Sequence, residues 1–312
     1  MIRACPVCNE TQSQPWLESP DRYHWRRESY QLVRCPVCSL IWLQNAPEPS
    51  EIAAHYGKEY HGDITQSGEK RALERWKEHR DIVVARSPSP GAILDIGCSS
   101  GAFLKTMMAH GWKPAGIEID PEVAEKARQN TGADIYCGNA PDATFSPASF
   151  EVITCVHTLE HQYQPRELFD QAWRWLKPGG IFYVVVPNIA SWEARLFRSY
   201  WYGLEVPRHL TFFSESSLRR IGEQAGFITE RIVTRADCHI EASTKYLIDA
   251  AREKIGLRVK PLAGIPEPGI LRRLIRKPIR ISALLAFRRI AQASGNGASL
   301  AAVFRKPLST SE

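Results

Sequence analysis

The sequence predicts an α/β protein: a doubly wound, mostly parallel sheet of seven strands, a small cysteine-bearing module ahead of it, and a helical insertion before the last strand. Three observations lead there. From residue 91 onward, apolar runs of strand length alternate with segments of helical period, the pattern of a parallel sheet covered on both faces. The first of these runs, Ala-Ile-Leu-Asp-Ile, opens directly into Gly97-Cys98-Ser99-Ser100-Gly101, a glycine-rich turn ahead of a helix. Near the start, the tetrapeptide Cys-Pro-Val-Cys occurs twice, at 5–8 and 35–38.

Each element has a local reason. Ala92–Gly97 is the first strand of the sheet and Gly101–His110 the first helix. Trp112–Ile119 is the second strand. Pro121 suits the first position of a helix running to about Asn130, with Asp120 as its N-cap. Asp134–Cys137 and Phe150–Val156 follow as strands. A helix over Arg166–Leu176 is expected to stop at Lys177-Pro178-Gly179-Gly180, ahead of a strand at Ile181–Val186. Ser214 caps a helix to Ala225. Phe227–Val233 and Ser299–Phe304 are the last two strands, so residues 236–296 read as an insertion between them. The resulting division is 1–44 for the cysteine module, 45–90 for a linker and cap helix, 91–235 with 297–306 for the main domain, and 236–296 for the insertion.

Composition sets limits. Apolar residues are 44% of the 312, enough for a substantial core, and no apolar run approaches membrane-spanning length. With no signal-peptide pattern at Met1–Cys5, a reducing cytoplasm is the expected compartment. The net charge of +6 is uneven: Pro268 to Ser311 holds no acidic residue but carries Arg272, Arg273, Arg276, Lys277, Arg280, Arg288, Arg289, Arg305 and Lys306. The basic excess is thus local and weak support for nucleic-acid binding.

Cys5, Cys8, Cys35 and Cys38 read as a zinc site. Each Cys-Pro-Val-Cys turn presents two thiolates on one side, and two turns complete a tetrahedral set. Four thiolates leave no open coordination position, so the zinc is structural. The segment between the turns has strand-like content, suited to the hairpin of a zinc ribbon, with another strand over 40–43. Two disulfides are the competing reading, disfavoured in a reducing compartment. Cys98, Cys137, Cys155 and Cys238 are expected as small core residues. Residues 69–86 read as a helix offering Leu73, Trp76, Ile82 and Val83 inward, with Tyr56 and Tyr60 placed to cap a cofactor pocket or to pack on the main domain.

Twenty-one residues after Gly97, the second strand ends at Glu118. A glycine turn that admits a ligand to the backbone, followed by a carboxylate for ribose hydroxyls, is a nucleotide-type half-site. The dinucleotide pattern G-x-G-x-x-G is not met, since Ser99 and Ala102 stand where glycines are required. The chain resembles the class I S-adenosylmethionine-dependent methyltransferases in D-I-G-C-S-S-G (95–101), G-I-E-I-D (116–120), G-N-A (138–140), F-E-V-I (150–153), L-E-H (159–161), L-K-P-G-G (176–180), V-P-N (186–188), P-R-H-L-T-F-F-S (207–214) and A-G-F (225–227). The likeness covers about residues 90–235 and a final strand near 298–305. It implies a Rossmann-like methyltransferase domain with S-adenosyl-L-methionine as donor. Asp95 would shape the turn near the methionine ammonium, and Gly97, Cys98, Ser99 and Gly101 would line it. Glu118 would hold the ribose, beside Ile119. Asn139, where the family usually has aspartate, and Ala140 would face the adenine. Ser99 replaces a family glycine and is small enough to leave the turn open.

The acceptor side is less determined. A hydroxyl acceptor needs a base, and His157, His161 and His209 lie where such a fold places its pocket. The segment His157-Thr158-Leu159-Glu160-His161 resembles the E-x-x-E-H of ubiquinone-biosynthesis O-methyltransferases, which can bind a divalent cation there. His157, Glu160 and His161 either share that ability or only orient one another. Tyr200, Trp201, Tyr202, Phe212 and Phe213 around His209 suit a pocket for a sugar or aromatic ring. Residues 269–292, basic and amphipathic, suit either a lid or a membrane-surface element. The expected function is methylation, on oxygen, of a small-molecule or glycan acceptor that could be lipid-linked, as in polysaccharide or secondary-metabolite biosynthesis. An RNA methyltransferase and a non-catalytic cofactor-binding protein are the alternatives. RNA is disfavoured because 188–191 reads Asn-Ile-Ala-Ser and not the base-pocket pattern Asn-Pro-Pro-Tyr.

Overall fold

The computed structural model describes residues 4–56, 66–235, 239–257, 259, 286–287 and 289–308, with the backbone alone for 66–75. Strands β1 (Gln14–Pro20), β2 (Ser29–Arg34) and β3 (Ile41–Leu43) form the antiparallel ribbon expected between and after the cysteine turns. Helix α1 (Gln66–Arg86) leads to β4 (Ala92–Ile96), α2 (Ala102–Met108) and β5 (Lys113–Glu118). Then come α3 (Pro121–Thr131), β6 (Asp134–Cys137), β7 (Phe150–Val156), α4 (Pro165–Trp175) and β8 (Leu176–Pro187). Helix α5 (Trp192–Phe197), β9 (Thr211–Phe212), α6 (Glu215–Gln224), β10 (Ile228–Arg235), α7 (Ile240–Lys254) and β11 (Ser299–Arg305) complete the order.

The main sheet has seven strands in the order β10-β11-β8-β7-β4-β5-β6. Strands β4 to β8 are mutually parallel, and β11 runs antiparallel between β8 and β10. The chain winds outward from β4 in both directions, so the connections diverge between β4 and β7. Ligands of open α/β sheets sit at that crevice, beyond the carboxyl ends of the strands. Burial explains the uninterrupted apolar run of β8: Ile181 to Val186 are each at most 1% exposed. Both faces of this strand are covered, and each such side chain contributes about 1.5–3 kcal/mol.

The helix ends follow their sequence signals. The Asp120 carboxylate accepts from the Glu122 and Val123 amides at 2.9 and 3.0 Å, Pro121 begins α3, and Gly132 ends it at φ 65°. Ser214 and Ser217 form a reciprocal capping box on α6. On α1, Val83 is fully buried, Trp76 packs on Phe103 and His79 bonds the Tyr183 hydroxyl at 2.9 Å. Leu73 lies where only the backbone is described.

Three expectations change. Lys177-Pro178-Gly179-Gly180 does not separate helix from strand: α4 ends at Trp175 and these four residues already belong to β8. They bulge out of register opposite Glu151, and Gly179 takes φ 78° to close the bulge. Cys137, at the end of β6, is exposed, whereas Cys98 and Cys155 are core residues as expected; Cys238 lies outside the described residues. The ribbon also reaches into the main domain. Strand β9 pairs with β3, Ile41 with Phe212 and Trp42 with Thr211, making a four-stranded sheet β1-β2-β3-β9. Most of 269–292 lies outside the described residues. No helix among the described residues is long and apolar enough to cross a membrane.

Candidate functional site

The donor-side half-site forms where β4 and β5 end. The Gly97 and Cys98 amides both donate to the Ile117 carbonyl, at 2.8 and 3.0 Å, which folds the turn back over β5. Gly97 (φ 77°), Ser99 (φ 48°) and Gly101 (φ 80°) are all left-handed. Serine at 99 thus meets a conformational demand, and its size is not the issue: a residue with a Cβ costs about 1–2 kcal/mol there. At Gly97 a Cβ would lie 2.1 Å from the Thr158 hydroxyl oxygen, so this position has no room for a side chain. Cys98 turns its sulfur into a cluster with Leu104, Ala124, Ala127 and Ile135, and borders the turn only through its backbone.

Glu118 closes the half-site. One carboxylate oxygen accepts from the Ser99 amide at 2.9 Å and the other from the Asp120 amide at 3.1 Å. A carboxylate has about four lone-pair sites, so both oxygens keep capacity for ribose hydroxyls. Ile119 beside it is 62% exposed, a bare apolar surface next to a polar cradle. Asn139 is exposed and donates to Asp142 at 3.2 Å, leaving its amide oxygen to accept; Ala140 is buried behind it.

Asp95 is buried within this frame, and the Thr154 hydroxyl donates to it at 2.6 Å. Burial pushes its carboxyl up to about 7, with the neighbouring Glu118 charge adding to the rise. A folded-state value above the ordinary 3.8 means stability that is full below pH 4 and lost as pH rises through 7. We therefore expect the unfolding free energy of the ligand-free protein, relative to Asp95→Asn, to fall across that window by up to about 4 kcal/mol. A cationic ligand held against Asp95 would reverse the preference and bind more tightly as pH rises through 7. Calorimetry in buffers of different ionisation enthalpy checks this through the proton released.

The acceptor-side histidines converge beyond β7. His157 has φ 53°, and its Nδ1 lies 3.4 Å from Glu160, yet its side chain is 45% exposed. Glu160 is 1% exposed, and its Oε2 has no hydrogen-bond partner among the described residues. Burial pushes the Glu160 carboxyl up, but the bond from His157 and the charges of His157, His161 and His209 bring it below its ordinary value. The His161 and His209 rings meet edge to face, 4.7 Å apart. His161 Nδ1 is 3.0 Å from the Arg208 carbonyl and His209 Nδ1 is 3.0 Å from the Gly203 carbonyl. A carbonyl can only accept, so each bond puts the proton on Nδ1 and leaves Nε2 as the basic nitrogen. Burial and the His209 charge push His161 down to about 4. Glu205, left-handed at φ 39°, places a carboxylate oxygen 3.7 Å from His209 Nε2. The ligating atoms of Glu160, His161 and His209 all lie within 4.8 Å of one another, so a divalent cation could be spanned by this trio; the structure brings in His209 where the sequence reading had His157.

Some residues carry this arrangement in ways that only the fold makes visible. Arg208 is fully buried and bonds Asp21, Glu205 and the His55 carbonyl. The Tyr56 hydroxyl lies 3.0 Å from His161 Nδ1; Tyr60 is outside the described residues. Trp201, Phe212 and Phe213 are at most 2% exposed and belong to the core, so of the loop aromatics only Tyr200 and Tyr202 retain accessible surface. A separate cavity of about 890 Å³, bordered by Arg195, Ser214, Arg219 and Arg220, involves neither Glu118 nor the histidines.

The four N-terminal cysteines fit zinc. Their sulfurs lie within 4.8 Å of one another, with Cys5–Cys38 at 3.4 Å and Cys8–Cys35 at 3.5 Å. Tetrahedral Zn–S bonds of about 2.3 Å separate sulfurs by just under 4 Å. The two turns share one backbone design. Cys5 donates to the Glu10 carbonyl and Asn9 to that of Cys5; Cys35 donates to Leu40 and Ser39 to Cys35. Asn9 and Ser39 are left-handed at φ 59° and 61°. The Cys38 amide points at the Cys35 sulfur from 3.3 Å, as a thiolate requires.

A family described as a methyltransferase domain matches residues 68–231, more than half of the chain. The chain belongs to the methyltransferase-domain family. The ubiquinone biosynthesis O-methyltransferase of Xanthomonas campestris pv. campestris is 32% identical to this methyltransferase over 115 residues, 35% of this chain and 48% of that one. The enzyme of the same name from Thiobacillus denitrificans is 28% identical over 163 residues, 48% of this chain and 70% of its own. The methyltransferase thus spans about half the length of the first of these relatives. Among solved structures it is similar to a chain in a complex of the Haloferax volcanii Trm112 methyltransferase activator with a methyltransferase. That match has a TM-score of 0.52 and 18% identity, covering 80% of this chain and 96% of that one. A SAM-dependent methyltransferase from Archaeoglobus fulgidus gives a TM-score of 0.50 at 17% identity, covering 76% and 94%. These two likenesses speak for the fold, that of the class I S-adenosylmethionine-dependent methyltransferases. S-adenosylmethionine is the donor for which that fold is built, and a structural zinc fits the cysteines.

Proposed function

We propose that this methyltransferase transfers the methyl group of S-adenosylmethionine to a hydroxyl of a small-molecule or glycan acceptor, with His209 as the base. Asp95, Gly97, Ser99, Gly101, Glu118, Ile119, Asn139 and Ala140 hold the donor, and Cys98 contributes its backbone. The donor supplies a methyl already activated on a sulfonium sulfur. The protein's part is to set the acceptor oxygen in line with the carbon–sulfur bond and to remove its proton. The oxygen–carbon bond forms as the carbon–sulfur bond breaks, and the hydroxyl proton passes to His209 Nε2.

The observation that carries this reading is the 3.0 Å contact between His209 Nδ1 and the Gly203 carbonyl, from which the tautomer follows. The ring's Nδ1–H is tied to the Gly203 carbonyl, so Nε2 faces Glu205 with its lone pair free to take a proton. A carboxylate at that distance steadies the positive ring that results. His161, pushed down to about 4, is a neutral ring at neutral pH and too weak a base to hold a second proton, which supports a role beside the base. The naming of both curated relatives for O-methylation supports oxygen as the target.

The test is His209→Ala with His161→Ala beside it, assayed against a panel of hydroxylated acceptors. His209→Ala should lower kcat about 10²- to 10⁴-fold while leaving donor affinity unchanged, and His161→Ala should cost less. Full turnover in both variants removes the histidine base. A rate that follows added magnesium and vanishes with chelator at intact zinc content would move the assignment to cation-assisted activation through Glu160, His161 and His209.

A further inference from the structure

We propose that Asp21 and Arg208 are positioning residues for the acceptor-side histidines, so that the N-terminal zinc module takes part in the reaction step. This rests on the reading of His209 as the base. The starting point is burial. The side chains of Arg208 and Asp21 are both 0% exposed. A guanidinium taken wholly out of water needs a counter-charge and partners for its donors.

Arg208 has them, and most come from the module. Its Nη1 and Nη2 donate to the two oxygens of Asp21 at 3.3 and 3.2 Å, and Nη1 also donates to the His55 carbonyl at 3.1 Å. The guanidinium lies 4.5 Å from the centre of the Tyr23 ring. Its Nε donates to Glu205 at 3.2 Å. Burial pushes the Asp21 carboxyl up, but the Arg208 charge and bonds outweigh it and hold the group below its ordinary range. The pair is therefore ionised.

What the pair holds is the chemistry. The Arg208 carbonyl accepts from His161 Nδ1, and the next residue is His209. Leu210 donates to the Glu160 carbonyl at 2.7 Å and accepts from the Leu43 amide at 2.9 Å. Residues 208–210 thus bridge the ribbon to all three members of the Glu160–His161–His209 cluster. The Glu205 carboxylate beside His209 is fixed by the same guanidinium. Displacement by one ångström at Arg208 would move two rings and a carboxylate together.

Asp21→Asn tests this, because it keeps the shape and removes the charge. The expected result is a kcat lowered by about 10- to 100-fold, with donor affinity and zinc content unchanged. In a His209→Ala background the same substitution should have little further effect, since groups that act through one another are not additive. Arg208→Lys carries the same expectation, because a single ammonium cannot serve the fork that Asp21 and Glu205 share. It stands in should Asp21→Asn not fold. Full kcat in a folded variant overturns the proposal. So does an equal loss in both backgrounds, or a loss that follows donor affinity or zinc content, each of which marks a merely structural role. Full turnover in His209→Ala instead removes the base assignment, while a kcat loss in Asp21→Asn would then be read through His161.

Discussion

Removing the zinc from Cys5, Cys8, Cys35 and Cys38 will abolish methyl transfer while sparing part of the donor binding. The ribbon is a module of some forty residues, too small to be held by its own core. A structural zinc site of this kind contributes on the order of 10 kcal/mol to folding. Its loss frees the two cysteine turns and then β1 to β3. The damage does not stop at the module, because β3 pairs with β9 and the Leu43 amide bonds the Leu210 carbonyl. His209 sits between that carbonyl and Arg208, whose counter-ion Asp21 lies in the module. The turn at Gly97 and Glu118, proposed to hold the donor, is instead built within the main sheet. Chelation or Cys35→Ser should therefore lower turnover at least about 100-fold and reduce the melting temperature, with measurable S-adenosylmethionine binding persisting. Metal analysis, scanning calorimetry and donor titration on one preparation check all three. Undiminished turnover in zinc-free protein would make the module an appendage to the chemistry.

Gly97→Ala will remove donor binding with a smaller effect on the fold. Two costs coincide at this position. The backbone stands at φ 77°, where a Cβ costs about 1–2 kcal/mol. That Cβ would also fall 2.1 Å from the Thr158 hydroxyl oxygen and 2.8 Å from its methyl carbon, so either Thr158 or the turn must move. Thr158 belongs to the segment carrying His157 and Glu160, and the turn carries the Ser99 amide that fixes Glu118. Either displacement spoils the half-site. A total destabilisation of about 2–4 kcal/mol is expected, with donor affinity down at least about 100-fold. Equilibrium unfolding and calorimetry separate the two. Gly97→Ala/Thr158→Ser, which removes only the methyl, should recover little, because the hydroxyl oxygen is the nearer obstacle. Near-normal donor affinity in Gly97→Ala would show that the ligand does not approach the backbone here.

The parts of this molecule that could be read from the chain are those governed by local signals. The alternation of strand and helix, the Asp120 and Ser214 caps, the glycine turn and the cysteine turns each depend on a few neighbouring residues, and they stand where the pattern puts them. The features that escaped notice depend on distant partners. A two-residue strand such as β9 has no periodicity, and only its pairing with β3 makes it a strand. Lys177 to Gly180 carry every mark of a helix stop, yet they continue into β8 as a bulge opposite Glu151, with Gly179 and Gly180 bonded to Lys306. Trp201, Phe212 and Phe213 look like pocket aromatics until the ribbon is laid against them and buries them. Arg208 lies in a motif legible in the sequence, but its partner Asp21 is 187 positions away, and the pair acquires meaning only once the fold removes water from both.

The pairing of β3 with β9 also bears on how the chain assembles during synthesis. Trp42 leaves the ribosome some 170 residues before Thr211, its partner. At about 5–20 residues per second, the ribbon has roughly 10–30 s to load its metal with one strand edge bare. An unpaired edge is a site for wrong strand addition. Its correct partner arrives only after the donor-binding half of the main domain has been made, so closure of that edge is a late event joining the two parts of the nascent protein.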